Sequence, residues 1–336
     1  IQAEDELAAI GMVLGATWNG ARAFTPTSGP GISLMSEFIG FAYYSELPAV
    51  IFNIQRTGPS TGMPTRTQQC DLLTCAYASH GDTKHPMLFP ANPEECFHMT
   101  VNAFDLGDEL QTPIFVMSDL DIGMNDWMSS DFEWDNKYEP KKGKVLSAEQ
   151  LEKLENFYRY FDSDGDGIPY RSLPGVHPKG SFFTRGSGHN KYGGYTEEGH
   201  EYQEVVDRLK VKWNTARKMV PKPNIKYSKT NKIGIIAFGS SDGATNEAII
   251  KLRKSGIKVN YCRIKAFPFN ESIKKFIDKH EKIYVIEQNR DAQMRSLLIL
   301  DLEVNPSKLF SILHYDGNPI YANLIVRELL DNESSA

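Results

Sequence analysis

Apolar runs too continuous for half-buried strands recur along this chain, separated by stretches with helical periodicity. "AVIFNIQ" (49–55), "PIFVMSD" (113–119), "IGIIAF" (233–238) and "IYVIEQ" (283–288) are the clearest. A strand apolar on both faces is covered on both faces, and alternation with helices makes the sheet parallel. The chain therefore reads as α/β.

The alternation falls into two blocks. Before residue 120 the pattern predicts a helix from Asp5 to Gly20, a strand from Arg22 to Thr27 and the turn "TSGPG". A helix from Ile32 to Tyr44, a strand from Ala49 to Gln55, a long loop and a helix near Gln69 to Ala78 come next. The strand Pro86 to Phe89 precedes a helix opened by Asn92 as N-cap with Pro93 at its first position, and the 113–119 strand closes the block. Residues 121–231 break the rhythm: Gly, Pro, Asp, Lys and aromatics dominate, with helical segments only at Ser147 to Tyr160 and Tyr202 to Met219. This reads as an insertion or lid ending in a Lys- and Pro-rich linker. From 232 to 336 the alternation resumes as a second, smaller α/β domain.

Composition removes several classes of function. The 336 residues carry a formal net charge of −6 with pI near 5.8, a balance unsuited to nucleic acid. Cys70, Cys75, Cys96 and Cys262 form no CxxC pair, against an iron–sulfur or zinc site in this chain and against a secreted disulfide framework. No run of about 18 apolar residues occurs, so a membrane span is not expected and a reducing cytoplasm is the expected compartment. The start at Ile1, entering a helix without a signal-peptide pattern, reads as a longer polypeptide cut short or a domain whose first strand comes from elsewhere.

The densest chemistry lies in "QRTGPSTGMPTRTQQ" (55–69), where a buried strand runs into hydroxyls, glycines, prolines and two arginines. Ligands of open α/β sheets bind beyond the carboxyl ends of strands. Arg56 stands at such an end, and its planar fork suits a carboxylate; the plain alternative is an arginine paired to a structural Asp or Glu. Thr65 can reach the same pocket if the loop folds back. "TPTSGPG" (25–31) offers Ser28 and Gly29 to a cofactor, although it matches neither dinucleotide nor P-loop patterns and a simple strand-to-helix turn explains it as well. Glu4, Asp5 and Glu6 fall in a first helical turn, where acids offset the helix dipole or aim a carboxylate at a cofactor ring. "DSDGDG" (162–167) starts like an EF-hand loop, but Leu173 stands at position 12 and Pro169 lies inside it, so an acidic turn is expected. His189 and His200, amid glycines, are expected to be surface or lid histidines.

"IQAEDELAAIG…TSGPGISLMSE…QRTGPSTGMPTRTQQCDLL", with "FVMSDLDIGMN", "FDSDGDGIPYRSLPG" and "RGSGHNKYGGYTE", resembles the α subunits of 2-oxoacid:ferredoxin oxidoreductases, most of all the 2-oxoglutarate members. The resemblance runs through nearly the whole chain. It implies a thiamine-diphosphate pyrimidine-binding domain over 1–120 lacking its first strand, the insertion, and a transketolase C-terminal-like domain from 232. It implies oxidative decarboxylation of 2-oxoglutarate with coenzyme A to succinyl-CoA and CO2, or the reverse carboxylation, with electrons passing to ferredoxin. A β subunit is implied, carrying the diphosphate and Mg2+ site and a [4Fe–4S] cluster. Glu6, with Glu4 as the fallback register, takes the place of the pyrimidine-contacting glutamate, Arg56 that of the substrate-carboxylate arginine, and Thr65 that of a substrate-contacting threonine. The family's YPITP-type strand and γ domain have no counterpart here, so an upstream segment or another chain is expected to supply them. Pyruvate or a branched-chain 2-oxoacid is the rival substrate, and a non-catalytic scaffold subunit the rival of another class.

Overall fold

Asp5 opens the first helix: its side chain accepts the Ala8 amide at 2.8 Å and caps α1 (Glu6–Trp18). The computed structural model describes residues 1–334. β1 (Phe24–Thr27), α2 (Gly29–Leu34), α3 (Ser36–Ser45) and β2 (Ala49–Thr57) follow, then β3 (Met63–Thr67), α4 (Leu72–Ala76) and β4 (Met87–Leu88). α5 (Pro93–Leu110), β5 (Pro113–Asp119) and the short α6 (Leu120–Met124) complete the first block. Asn92 caps α5 as expected, accepting the Glu95 amide at 2.8 Å, with Pro93 at its start.

The insertion carries α7 (Ala148–Lys153) and α8 (Gly199–Met219). The last block runs β6 (Asn224–Lys226), β7 (Ile233–Phe238), α9 (Ser241–Lys254), β8 (Val259–Ile264), β9 (Ala266–Phe267), α10 (Glu271–Asp278), β10 (Lys282–Glu287), α11 (Gln293–Leu302), β11 (Leu309–Leu313) and α12 (Ala322–Ser334). The first sheet has the order β1-β2-β5-β4-β9, with β3 added to β2; β1, β2, β5 and β4 are parallel. The second has the order β11-β10-β7-β8-β6, parallel except for β6.

The two blocks are joined by more than the chain. β9 belongs to the second block by sequence yet pairs antiparallel with β4 of the first sheet. One apolar cluster runs without interruption from Ile10, Ile51 and Phe115 into Phe238, Ile283 and Met294. At the same seam Gln69 accepts the Gln288 amide and the Ser241 hydroxyl, each at 3.2 Å, and its own amide reaches the Gln288 carbonyl at 2.8 Å. Asp119, at the end of β5, is buried there and accepts the Ser240 hydroxyl at 2.6 Å; burial pushes its carboxyl up to about 6.

Several elements differ from the sequence reading. The "TSGPG" turn is already helix, with α2 starting at Gly29 and Pro30 in its first turn. The loop after β2 is a hairpin, β3 pairing antiparallel with β2. At its tip Gly62 has φ +55°, and a Cβ there would stand 1.8 Å from the Thr57 carbonyl oxygen, so only glycine closes the turn. The helix expected over Ser147 to Tyr160 stops at Lys153, and the linker forms the edge strand β6.

The insertion is anchored by buried charge. Glu46, which ends α3 in a left-handed conformation, is fully buried; Arg208 pairs with it, while Arg159 and Lys212 lie 3.9 and 3.8 Å from its carboxylate. These cations hold the Glu46 carboxyl below its ordinary range against the cost of burial. His189 is buried between Tyr44 and Tyr160, not at the surface. In the "DSDGDG" turn the Lys144 ammonium takes the cation's place, 2.6 and 2.7 Å from Asp164 and Asp166 and 2.8 Å from the Ile168 carbonyl.

Candidate active site

Two cavities flank the first turn of α2. The first, about 520 Å3, lies between α1 and β1 and is lined by Glu6, Met12, Val13, Thr25 and Pro26 among others. Glu6 is half-buried at the first position of α1, and its carboxylate has no hydrogen-bond or ion-pair partner among the described residues. Gly31 makes room for it: a Cβ there would lie 2.8 Å from Glu6 Cγ and 1.9 Å from Thr27 Oγ1. A carboxylate without a protein partner, beside the apolar walls of Met12 and Val13, suits an aminopyrimidine ring that donates a hydrogen bond from one edge. The lining includes no lysine, arginine or histidine, so this cavity fits the ring rather than the diphosphate of the cofactor. Glu4 also lines it, but is exposed.

The second cavity, about 620 Å3, opens at the carboxyl end of β2. Arg56, Gly58, Pro59 and Asp71 form one wall with Gly29 and Pro30 of α2; Asn289, Arg290, Asp291, Gln293 and Tyr315 form the other. The guanidinium of Arg56 makes no hydrogen bond or ion pair with any described residue, and its Nε is buried without a partner. The pairing to a structural carboxylate is therefore absent. Asp71, close enough to feel the charge of Arg56, is occupied elsewhere: it accepts Asn53 Nδ2 at 3.0 Å and the Cys70 thiol at 3.6 Å. Burial raises the Asp71 carboxyl above its ordinary value despite these donors. Burial and Asp71 push the Cys70 thiol up to about 12, so it is protonated at neutral pH and no nucleophile.

The far wall is held by the seam between the blocks. Asn289 donates to the Gln69 carbonyl at 3.0 Å and to Glu287 at 2.7 Å. Gln293 accepts the Leu73 amide at 3.1 Å and donates to the Cys70 carbonyl at 2.7 Å. Thr67 in β3 donates its amide to the Gly317 carbonyl at 3.1 Å. Buried, paired polar groups of this kind fix geometry.

The expected residues are thus partly gathered. Glu6 and Arg56 line different cavities: Gly31 packs on Glu6, while Gly29 and Pro30 line the Arg56 cavity, Gly29 against Asp71. Ser28 caps no backbone amide with its side chain, and Thr65 is exposed on β3 and lines neither cavity. Sequence reasoning misses the wall from 289 to 315. Its signal lies in "IYVIEQNRD", polar residues just past a strand end.

The two largely parallel sheets have the transketolase-like fold of thiamine-diphosphate enzymes. A split-gene transketolase has the same fold at 13% identity, with a TM-score of 0.54 over 97% of this chain and 80% of that one. The narrower assignment comes from two family models: Pyruvate flavodoxin/ferredoxin oxidoreductase, thiamine diP-bdg over residues 1–151, and Pyruvate:ferredoxin oxidoreductase core domain II over residues 231–320. The chain belongs to the 2-oxoacid:ferredoxin oxidoreductase α-subunit family. It is 33% identical over 295 residues to the 2-oxoglutarate synthase subunit KorA of Methanothermobacter thermautotrophicus, covering 86% of this chain and 75% of that one. It is 31% identical over 329 residues to subunit alpha of 2-oxoacid:ferredoxin oxidoreductase 2 of Aeropyrum pernix, covering 96% of this chain. A solved 2-oxoglutarate:ferredoxin oxidoreductase from Magnetococcus marinus, with 2-oxoglutarate, coenzyme A and succinyl-CoA bound, superposes with a TM-score of 0.89 at 27% identity over 98% of this chain. The chain spans about half the length of these last two, 50% and 56%. Among the described residues no helix is long and apolar enough to cross a membrane.

Proposed function

We propose that this chain, assembled with a β subunit, oxidatively decarboxylates 2-oxoglutarate with coenzyme A to succinyl-CoA and CO2, passing an electron pair singly to ferredoxin. The reading is supported by kinship to 2-oxoglutarate synthase subunits and by one observation above all: Arg56, a guanidinium without a protein partner, lining a cavity at a strand end.

Thiamine diphosphate, when bound, supplies the carbon nucleophile that adds to the keto group. Glu6 accepts a hydrogen bond from its aminopyrimidine ring and so selects a tautomer. The ring would rest on Met12 and Val13; the diphosphate, Mg2+ and a [4Fe–4S] cluster fall to the β subunit. Arg56 binds the carboxylate next to the keto group and orients it. Loss of CO2 removes the negative charge that Arg56 paired, so the guanidinium holds the intact acid more strongly than its decarboxylated remainder. Thr65, exposed on β3 and lining neither cavity, takes no part in this chemistry.

The test is viologen-dye reduction by the purified assembly with coenzyme A, comparing 2-oxoglutarate with pyruvate. Reduction dependent on 2-oxoglutarate is expected. Selective use of pyruvate would keep the chemistry and overturn the substrate. No reduction with either acid, with cofactor and cluster present, would favour the scaffold role.

A further inference from the structure

We propose that Arg290, on the wall contributed by the second block, binds the far carboxylate of the substrate and makes the Arg56 cavity selective for dicarboxylic 2-oxoacids. The inference rests on the reading of Arg56 given above.

Two arginines line this cavity from different sheets: Arg56 at the end of β2, Arg290 just beyond the end of β10. Both are strand ends of the kind where open sheets bind ligands, and here they face one space. About 620 Å3 lies within the usual range for small-molecule pockets, about 300–1,000 Å3, and admits a short diacid. A monocarboxylate satisfies Arg56 alone, whereas a second cation on the opposite wall calls for a second anion.

The hydrogen-bond inventory supports this. Asp291 holds Arg290 side-on, Oδ1 to Nε at 2.8 Å and Oδ2 to Nη2 at 3.1 Å. Arg290 Nη1 has no partner among the described residues, so one edge of the fork is free for a ligand. The carboxylates lining the cavity are both engaged, Asp71 by Asn53 and Cys70, Asp291 by Arg290. The unoccupied hydrogen-bonding capacity on charged groups is thus cationic, and it sits on both walls.

The platform is fixed, while the arm is tied only to its own neighbour, Asp291. Asn289 and Gln293 are clamped to the first block, and Ala292 between them adopts a left-handed conformation (φ 52°). The Arg290 side chain is 73% exposed and can follow an acid into the cleft, with Tyr315 beside it on the rim. Arg66, the other arginine of the hairpin, lines no part of this cavity; it reaches Asn318 at 3.4 Å and packs along Gly317.

The experiment uses the assembled enzyme, saturating coenzyme A and dye reduction with 2-oxoglutarate and 2-oxobutyrate. In Arg290→Met the KM for 2-oxoglutarate should rise relative to that for 2-oxobutyrate by about 10- to 100-fold, the worth of hydrogen bonds to a charged group, with Arg290→Lys regaining most of it. Asp291→Asn, which releases the second edge, should lower the same ratio. Thermal unfolding and bound thiamine diphosphate report whether each variant is folded. Equal changes in both KM values, a change confined to the KM for coenzyme A, or an unaltered ratio in both variants would overturn the assignment. A wild-type enzyme that uses pyruvate but not 2-oxoglutarate would instead overturn the substrate reading on which it rests.

Discussion

Replacing Arg56 by Met separates a ligand-binding arginine from a structural one. Arg56 has no hydrogen bond or ion pair with the described residues, so its removal orphans no carboxylate, and its half-buried stem is replaced by a side chain of similar reach. Stability should stay within about 0.5 kcal/mol of wild type, the usual band for a substitution that breaks no named interaction. The substrate carboxylate loses a bidentate contact. Two hydrogen bonds to a charged group, about 1.5–3 kcal/mol each and discounted for partial exposure, give roughly 3–4 kcal/mol, a loss of about 10²- to 10³-fold in kcat/KM. Thiamine diphosphate affinity should change little, because Glu6 lies in the other cavity. Dye-reduction kinetics, a thermal melt and the bound cofactor content read all three quantities on one preparation. A melting point several degrees lower, or cofactor loss as severe as the kinetic defect, would refute the role assigned to Arg56.

Arg159, Arg208 and Lys212 of the insertion converge on one buried carboxylate, so Glu46→Gln should cost about 3–5 kcal/mol by urea denaturation; a loss below about 1 kcal/mol would contradict the anchoring role. Asp119 titrates at about 6 in the fold against an ordinary 3.8, so the native state holds its proton more tightly. Stability from this group is full below about pH 4 and is lost as pH rises through 6, by on the order of 3 kcal/mol; Asp119→Asn should flatten that slope in denaturation curves. Lys144→Met leaves the carboxylates of Asp164 and Asp166 without their ammonium, which holds the Asp164 carboxyl below its ordinary 3.8, and its destabilisation should shrink when melts at pH 7 are repeated near pH 3. An equal loss at both pH values would point to packing of the lysine stem instead.

Local pattern accounts for the parts of the fold that were legible in the sequence. Strands buried on both faces, such as 49–57 and 113–119, carry their own apolar signature, and Asn92-Pro93 announces its helix. Met63–Thr67 carries none: four of its five residues are exposed, and it is a strand only because β2 offers an edge to pair with. The helix begun at Ser147 stops at Lys153, and the chain beyond it turns Arg159 and Tyr160 into the interior, a case of tertiary burial set against helical propensity. His189 gave no sign of burial, since Tyr44 and Tyr160, which enclose it, are far away in sequence. Arg56 was legible because a strand end needs only local reading, whereas the wall that faces it depends on the packing of two sheets.

The structure of the assembled enzyme with 2-oxoglutarate, determined without coenzyme A, would show directly what Arg56 binds. The carboxylate beside the keto group should lie within hydrogen-bond distance, about 3 Å, of the Arg56 guanidinium, in the cavity that Glu6 does not line. A 2-oxoglutarate found turned over with its keto carboxylate away from Arg56, or bound outside this cavity, would contradict the role assigned to Arg56.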